Sequence, residues 1–99
     1  TGANIFFINT KNNEIHTPVA DSFLDGITRR SIIGIAKQLK IKVFERKIKL
    51  DELNKFDGCF LTGTAAEVTP VSQIRDIKFT VVDMINKLDY NYSKLVNKN

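Results

Sequence analysis

The stretch that most restricts how this chain can fold runs from Gly58 to Pro70. An apolar run, Cys59-Phe60-Leu61, halts at Thr62-Gly63-Thr64; two alanines and Glu67 follow, then a second short β-type run, Val68-Thr69-Pro70-Val71. Small hydroxyl residues beside a glycine, directly after a strand, predict a tight turn that offers backbone N–H groups and hydroxyls to an anion. Gly63 lets the backbone approach a ligand closely. Turns of this kind are common, so the shape alone does not choose the ligand.

Around that turn the chain alternates short strands with two helical patterns. Asn4 to Asn9 is a continuous apolar run between asparagines, the pattern of a strand buried on both faces. Thr10 to Asn13 is a turn, and Glu14-Ile15-His16-Thr17 closes a hairpin before Pro18. His16 faces away from Ile15. With no second histidine and no acidic neighbour apparent to orient it, a structural role is expected. Asp21 to Gly26 is loop-like, and Thr28 is expected as a helix N-cap or first-turn residue. Ile32, Ile35, Ala36 and Leu39 then form one apolar stripe, with Lys37 and Lys40 in the last turn. A helix start preceded by glycine directs free N–H groups outward and can receive a phosphate. An ordinary capped helix fits those residues as well.

Ile41 to Arg46 reads as a strand, and Lys49 to Leu53 as a short helical turn with Asp51 and Glu52 at its start, where carboxylates complement the dipole. Ser72 to Phe79 is expected to form a hairpin turning at Arg75-Asp76. Thr80 is the expected N-cap of a closing helix, with Asp83 in capping-box position. Val81, Ile85, Leu88, Tyr92 and Leu95 would be its apolar stripe. The tail Asn97-Lys98-Asn99 is expected to fray.

Ninety-nine residues with 42% hydrophobic content suit one domain, or part of a larger one. The single cysteine, Cys59, reads as a buried, reduced thiol, so the cytoplasm is the expected compartment. No apolar run approaches the roughly 18–20 residues that span a membrane, and no signal peptide is visible. The net charge is +4, and six basic residues lie between Lys37 and Lys49. Acidic residues dilute that cluster and no aromatic interleaving accompanies it, so a solvated lysine-rich face is expected rather than a nucleic-acid site.

Two segments carry a resemblance. Thr62-Gly63-Thr64-Ala65-Ala66-Glu67-Val68-Thr69-Pro70 resembles the signature loop of the branched-chain amino acid aminotransferases, pyridoxal-phosphate enzymes of fold type IV. His16-Thr17-Pro18 with Phe23-Leu24-Asp25-Gly26-Ile27-Thr28-Arg29 is similar to another segment of the same family. The two occur in the family's order, with a helix and a strand between, and the likeness runs from about Asn4 to Val96.

The resemblance implies a mixed α/β (α+β) fold. Residues 1–99 would be most of the C-terminal domain of the D-amino acid aminotransferase-like fold, a mixed sheet or pseudo-barrel with a central helix and a C-terminal helix. It implies pyridoxal 5'-phosphate as cofactor, which the segment alone is not expected to retain. Gly26, Ile27, Thr28, Gly63 and Thr64 would contact its phosphate, and Leu24 would pack on its ring. Thr64 and Ala65 would help receive the substrate carboxylate. Glu67, beside a tight turn, is expected to brace the loop rather than act as a general base. The implied reaction moves an amino group between leucine, isoleucine or valine and 2-oxoglutarate. D-amino acid aminotransferases and aminodeoxychorismate lyases share the fold, but the Thr62-to-Ala66 wording favours the branched-chain enzymes.

The sequence departs from the family in one place: Phe79-Thr80-Val81-Val82 lacks the glycine-containing loop most members carry there. Such an enzyme also needs a lysine that holds the cofactor covalently and shuttles a proton. The family's lysine lies well upstream, and none of the eleven lysines here matches it. Lys42 and Lys78 are expected on solvated strand faces. The abrupt, strand-like start suggests that Thr1 is no natural domain boundary. The expectation is therefore an inactive part of a homo-oligomeric transaminase whose N-terminal portion bears the chemical centre. A non-catalytic remnant that keeps the phosphate site is the alternative.

Overall fold

The computed structural model describes residues 4–19, 26–63 and 68–96. In chain order the elements are β1 (Asn4–Asn9), β2 (Glu14–Thr17), α1 (Ile27–Gln38), β3 (Lys42–Glu45), a 3-10 helix (Leu50–Lys55), β4 (Gly58–Thr62), β5 (Val68–Pro70), β6 (Gln73–Ile74), β7 (Ile77–Lys78) and α2 (Asp83–Val96). Five strands make one mixed sheet in the order β3-β2-β1-β4-β5, and β6-β7 is a separate hairpin. Only β2 and β3 pair in parallel, which is why α1 lies between them: a parallel pair needs a crossover.

Strand alternation sorts the apolar run of β1 onto both faces of the sheet. Phe6 and Ile8 join Ile15, Phe60, Ile32, Ala36, Ile85, Leu88 and Tyr92 in the core beneath α1 and α2. Phe7 points the other way, to Leu53, Phe56, Cys59 and Phe79. Phe6 and Phe60 are directly paired across β1 and β4, and their rings stack at 4.9 Å. Cys59 is fully buried, and burial pushes its thiol up to about 12, so it stays a neutral thiol.

Three expectations need correction. His16 does have an acidic partner: Glu14, two residues earlier on the same face, lies 2.9 Å from Nε2. Arg46 Nε–H donates to Nδ1 at 3.1 Å, and the ring lies against Phe44 and Phe56. Both ring nitrogens are thus engaged in packing the second face. Arg46 also pairs with Glu52, which accepts the Lys49 backbone N–H at 2.9 Å. That pairing, first Arg46 and then the Lys49 amide, holds the Glu52 carboxyl at about 2.

The second correction is the start of α2. Thr80 is not its cap; its N–H and hydroxyl both donate to Asp57 O, at 2.9 and 3.1 Å. Val82 must first cross Gly58, where its methyl fills the space a side chain would take, so the helix begins only at Asp83. Val81 (59% exposed) consequently precedes the helix, and Leu95 (50%) near its other end is also outside the stripe that Ile85, Leu88 and Tyr92 form.

Third, Lys40 lies beyond the end of α1 rather than in its last turn. It takes a left-handed conformation (φ 64°), while its N–H bonds Lys37 O and that of Ile41 bonds Ala36 O. This is a Schellman-type stop without glycine. Asn13 reaches across to donate from Nδ2 to Lys40 O at 2.9 Å. The hairpin turn at Arg75-Asp76 forms as expected, with Arg75 at φ 54°.

Candidate functional site

The register of the sheet decides what can meet. Asn4 pairs with Thr62, Thr62 with Val68, and Thr17 with Glu45. The Thr17 hydroxyl donates to Ile5 O at 2.7 Å. The start of β1, the ends of β2, β3 and β4, and the start of β5 therefore share one end of the sheet. From there α1 runs back along the sheet to deliver β3 at the opposite end, where Lys42 pairs with Glu14. Hence Gly26-Ile27-Thr28, at the start of α1, and Thr62-Gly63, at the end of β4, stand at the same end.

The α1 corner is an uncapped helix start. Gly26 is its N-cap, in extended conformation (φ −74°, ψ 165°), and makes no side-chain cap; no acidic residue occupies the first turn. The first intrahelical bond runs from Arg30 N–H to Gly26 O at 3.1 Å. The amides of Ile27 and Thr28 precede it and have no intrahelical acceptor, so the positive end of the helix dipole is open to an anion. Thr28 is thus a first-turn residue, not the cap. The Ile27 side chain is 85% exposed, while the Thr28 hydroxyl lies 3.3 Å from Tyr92 Oη.

The β4 corner contributes an unsatisfied group. Thr62 is 1% exposed, and its Oγ1 has no hydrogen-bond partner among the described residues. Alternation gives it the face of Phe60, the face that α1 and α2 cover. Burying an unpaired hydroxyl costs roughly 1–3 kcal/mol, a cost a bound group could relieve. A Cβ added at Gly26 or at Gly63 would meet nothing within 4 Å, so space is open beside both corners. Amides without an intrahelical acceptor, a hydroxyl with no partner among the described residues and open room together fit a phosphate ester. Leu24, Thr64, Ala65 and Glu67, also expected here, lie outside the described residues, as does the tail from Asn97.

One residue that periodicity passed over anchors the α1 corner. Arg29 is 2% exposed, and its Nη2 donates to Pro18 O at 3.0 Å and to Glu45 Oε1 at 2.9 Å. It ties the helix start to the chain leaving β2 and to the end of β3. The available signal was its place in line with Ile32 and Ala36, on the stripe rather than the solvated face.

A groove of about 520 Å³ lies at the opposite end, lined by residues including Thr10, Asn13, Leu39, Val82 and Lys87. Two of its polar residues already serve the fold: Thr10 is bonded to Asp57, and Asn13 to Lys40 O. Size alone does not make it the site. Among the described residues no cluster of three His, Cys, Asp or Glu side chains could hold a metal, no helix is long and apolar enough to cross a membrane, and every lysine is exposed.

Comparison with known proteins identifies the family. Residues 1–74 match the family model "Amino-transferase class IV". The chain belongs to the class IV aminotransferases. Branched-chain enzymes stand among both its relatives and its structural neighbours. It is 42% identical over 100 residues to the "probable branched-chain-amino-acid aminotransferase" of Rickettsia felis, covering 97% of this chain and 34% of that protein. The crystal structure of the branched-chain aminotransferase of Thermoproteus uzoniensis with norvaline superposes with a TM-score of 0.84 at 35% identity, over 96% of this chain and 32% of that one. That of an aminotransferase from Brucella abortus, bound to the cofactor PLP, gives 0.85 at 25%, over 96% and 34%. These matches carry the mixed α/β fold of the type IV aminotransferases. The chain spans about a third of the length of the relatives it matches.

Proposed function

We propose that this chain is the phosphate-binding part of a branched-chain amino acid transaminase, acting on leucine, isoleucine or valine and 2-oxoglutarate. The observation that carries the proposal is that the two signature corners stand at one end of the sheet, where Thr62 Oγ1 is buried and without a partner among the described residues. The amides of Ile27 and Thr28, with the Thr28 hydroxyl, would hold the phosphate of pyridoxal 5'-phosphate between Gly26 and Gly63. Thr64 would add a phosphate contact, Leu24 would pack on the ring, and Thr64 with Ala65 would receive the substrate carboxylate. When bound, the cofactor supplies the aldehyde and the electron sink for amino-group transfer. This chain's own residues bind and orient it.

Residues 1–99 act as part of a C-terminal domain, in the cytoplasm and within a homo-oligomer. The lysine that completes the reaction comes from an N-terminal portion. D-amino acid aminotransferase or aminodeoxychorismate lyase chemistry is the runner-up within the fold. The 99-residue chain should bind pyridoxal 5'-phosphate only weakly, without retaining it, and show no turnover of leucine and 2-oxoglutarate above the free-cofactor rate. Mixing it with the lysine-bearing portion should give an absorbance band at roughly 410–430 nm, the range of the lysine-bound cofactor. Turnover by the 99 residues alone, or no binding in either setting, would sink the proposal. Binding of the cofactor with no band and no turnover in the mixture would instead favour a non-catalytic phosphate-binding remnant.

A further inference from the structure

Helix α2 brings one buried phenol to the start of α1. Tyr92 is 4% exposed, its ring completing the core with Ile85 and Leu88, and its Oη lies 3.3 Å from Thr28 Oγ1. Tyr90 on the same helix is 64% exposed. A phenylalanine would fill the Tyr92 space equally well, whereas a buried phenol needs a partner. Thr28 Oγ1 is its hydrogen-bond partner among the described residues. The contact joins residues 64 positions apart, in the first turn of one helix and the closing turns of the other.

Without a ligand the two hydroxyls can point either way, since each has one proton and two lone pairs. A phosphate ester removes that freedom. Its charged oxygens only accept, so Thr28 must spend its proton on the ligand and can then only accept from Tyr92. We propose that Tyr92 is a positioning residue of the phosphate site. Its O–H donates to Thr28 Oγ1, fixing the Thr28 hydroxyl so that its proton points to the anion. The relay runs Tyr92 O–H to Thr28 O–H to phosphate oxygen, and no bond breaks. Anion binding and the docking of α2 thereby support each other, by linkage. The inference rests on Gly26-Ile27-Thr28 being a phosphate corner.

Pyridoxal 5'-phosphate and, as the comparison lacking the anion, pyridoxal are titrated into the intact wild-type protein and into Tyr92→Phe, Thr28→Val, the double variant and Tyr90→Phe. Tyr92→Phe should weaken pyridoxal 5'-phosphate binding about three- to tenfold, the range of one hydrogen bond between neutral groups, and leave pyridoxal binding unchanged. Thr28→Val should weaken it at least as much. The double variant should lose no more than Thr28→Val does, and Tyr90→Phe should match wild type. Equal affinity in Tyr92→Phe and wild type, additive losses, or a matching loss for pyridoxal would each overturn the relay while leaving the phosphate corner standing. Failure of the wild type to prefer pyridoxal 5'-phosphate over pyridoxal would overturn the corner and the relay with it. Should Tyr92→Phe not fold, hydrogen exchange of the wild type decides: slower exchange in the closing turns of α2 on adding pyridoxal 5'-phosphate supports the relay, and unchanged exchange refutes it.

Discussion

Strand β4 starts at Gly58 and is followed by Gly63, and the two glycines live in opposite surroundings. A Cβ on Gly58 would lie 2.9 Å from a Val82 methyl and 3.3 Å from Ile8 Cβ; one on Gly63 would meet nothing within 4 Å. The polar groups follow the same division. At the Gly58 end, Asp57 N–H donates to Ile8 O, Thr10 N–H to the Asp57 carboxylate and Thr80 N–H to Asp57 O. At the Gly63 end, Thr62 Oγ1 is buried without a partner and α1 begins without a side-chain cap. One glycine is there because packing leaves no room; the other borders room left open. An end whose donors and acceptors satisfy one another is finished by folding alone, whereas unspent groups leave binding capacity.

The comparison can be broken most forcefully at Gly58. Gly58→Ala should cost about 1–3 kcal/mol, the usual cost of overpacking, read as a lower urea midpoint with unchanged slope. A loss below about 0.5 kcal/mol, within surface-substitution noise, would mean that Val82 yields and the closed end is not tightly packed. Asp57→Ala should cost about 1 kcal/mol by freeing the Thr10 donors; an unchanged midpoint would show that water replaces the carboxylate without loss.

Thr62→Val should have the opposite sign. Removing an orphaned hydroxyl from a buried site should stabilise the protein by about 1 kcal/mol in phosphate-free buffer. Destabilisation would show that the hydroxyl already makes a bond that the structure lacks. Gly63→Ala should change stability by less than about 0.5 kcal/mol, and calorimetry that found a larger drop would close the open end. Acid is the mildest probe. Because pairing holds Glu52 at about 2, below its ordinary 4.5, the stability it lends is complete above 4.5 and is lost as pH falls toward 2. Glu52→Gln should flatten the fall of stability in that window, and an identical acid slope would remove the Arg46–Glu52 pair from the account.

Much of the frame was legible because it follows from local periodicity. The doubly buried β1, the β1–β2 hairpin, the α1 stripe, β4 and the Arg75-Asp76 turn each follow from spacing over a few residues. The candidate site was legible in part, since Gly26-Ile27-Thr28 and Thr62-Gly63 stand out as glycine and hydroxyl corners after regular elements. What escaped was set by contacts distant in sequence. Thr80 looked like a cap because nothing nearby showed that Asp57 O would take its hydroxyl. His16 is the exception: its acidic partner Glu14, two residues away on the same strand face, was within reach of the period-2 pattern, and only Arg46, 30 positions away, had to wait for β2 and β3 to pair. Arg29 resembled any helical arginine until Pro18 and Glu45 closed around it.

The sequence by itself determined which segments are strands or helices, and where glycine and small hydroxyls free the backbone to meet an anion, because side-chain periodicity and backbone sterics act over one or two turns of chain. Only the tertiary structure decided that both corners stand at one end of one sheet, that Thr62 is buried without a partner, and that Tyr92 reaches Thr28. Those outcomes depend on strand register and on the seating of helices, which are fixed when the whole apolar surface is buried at once.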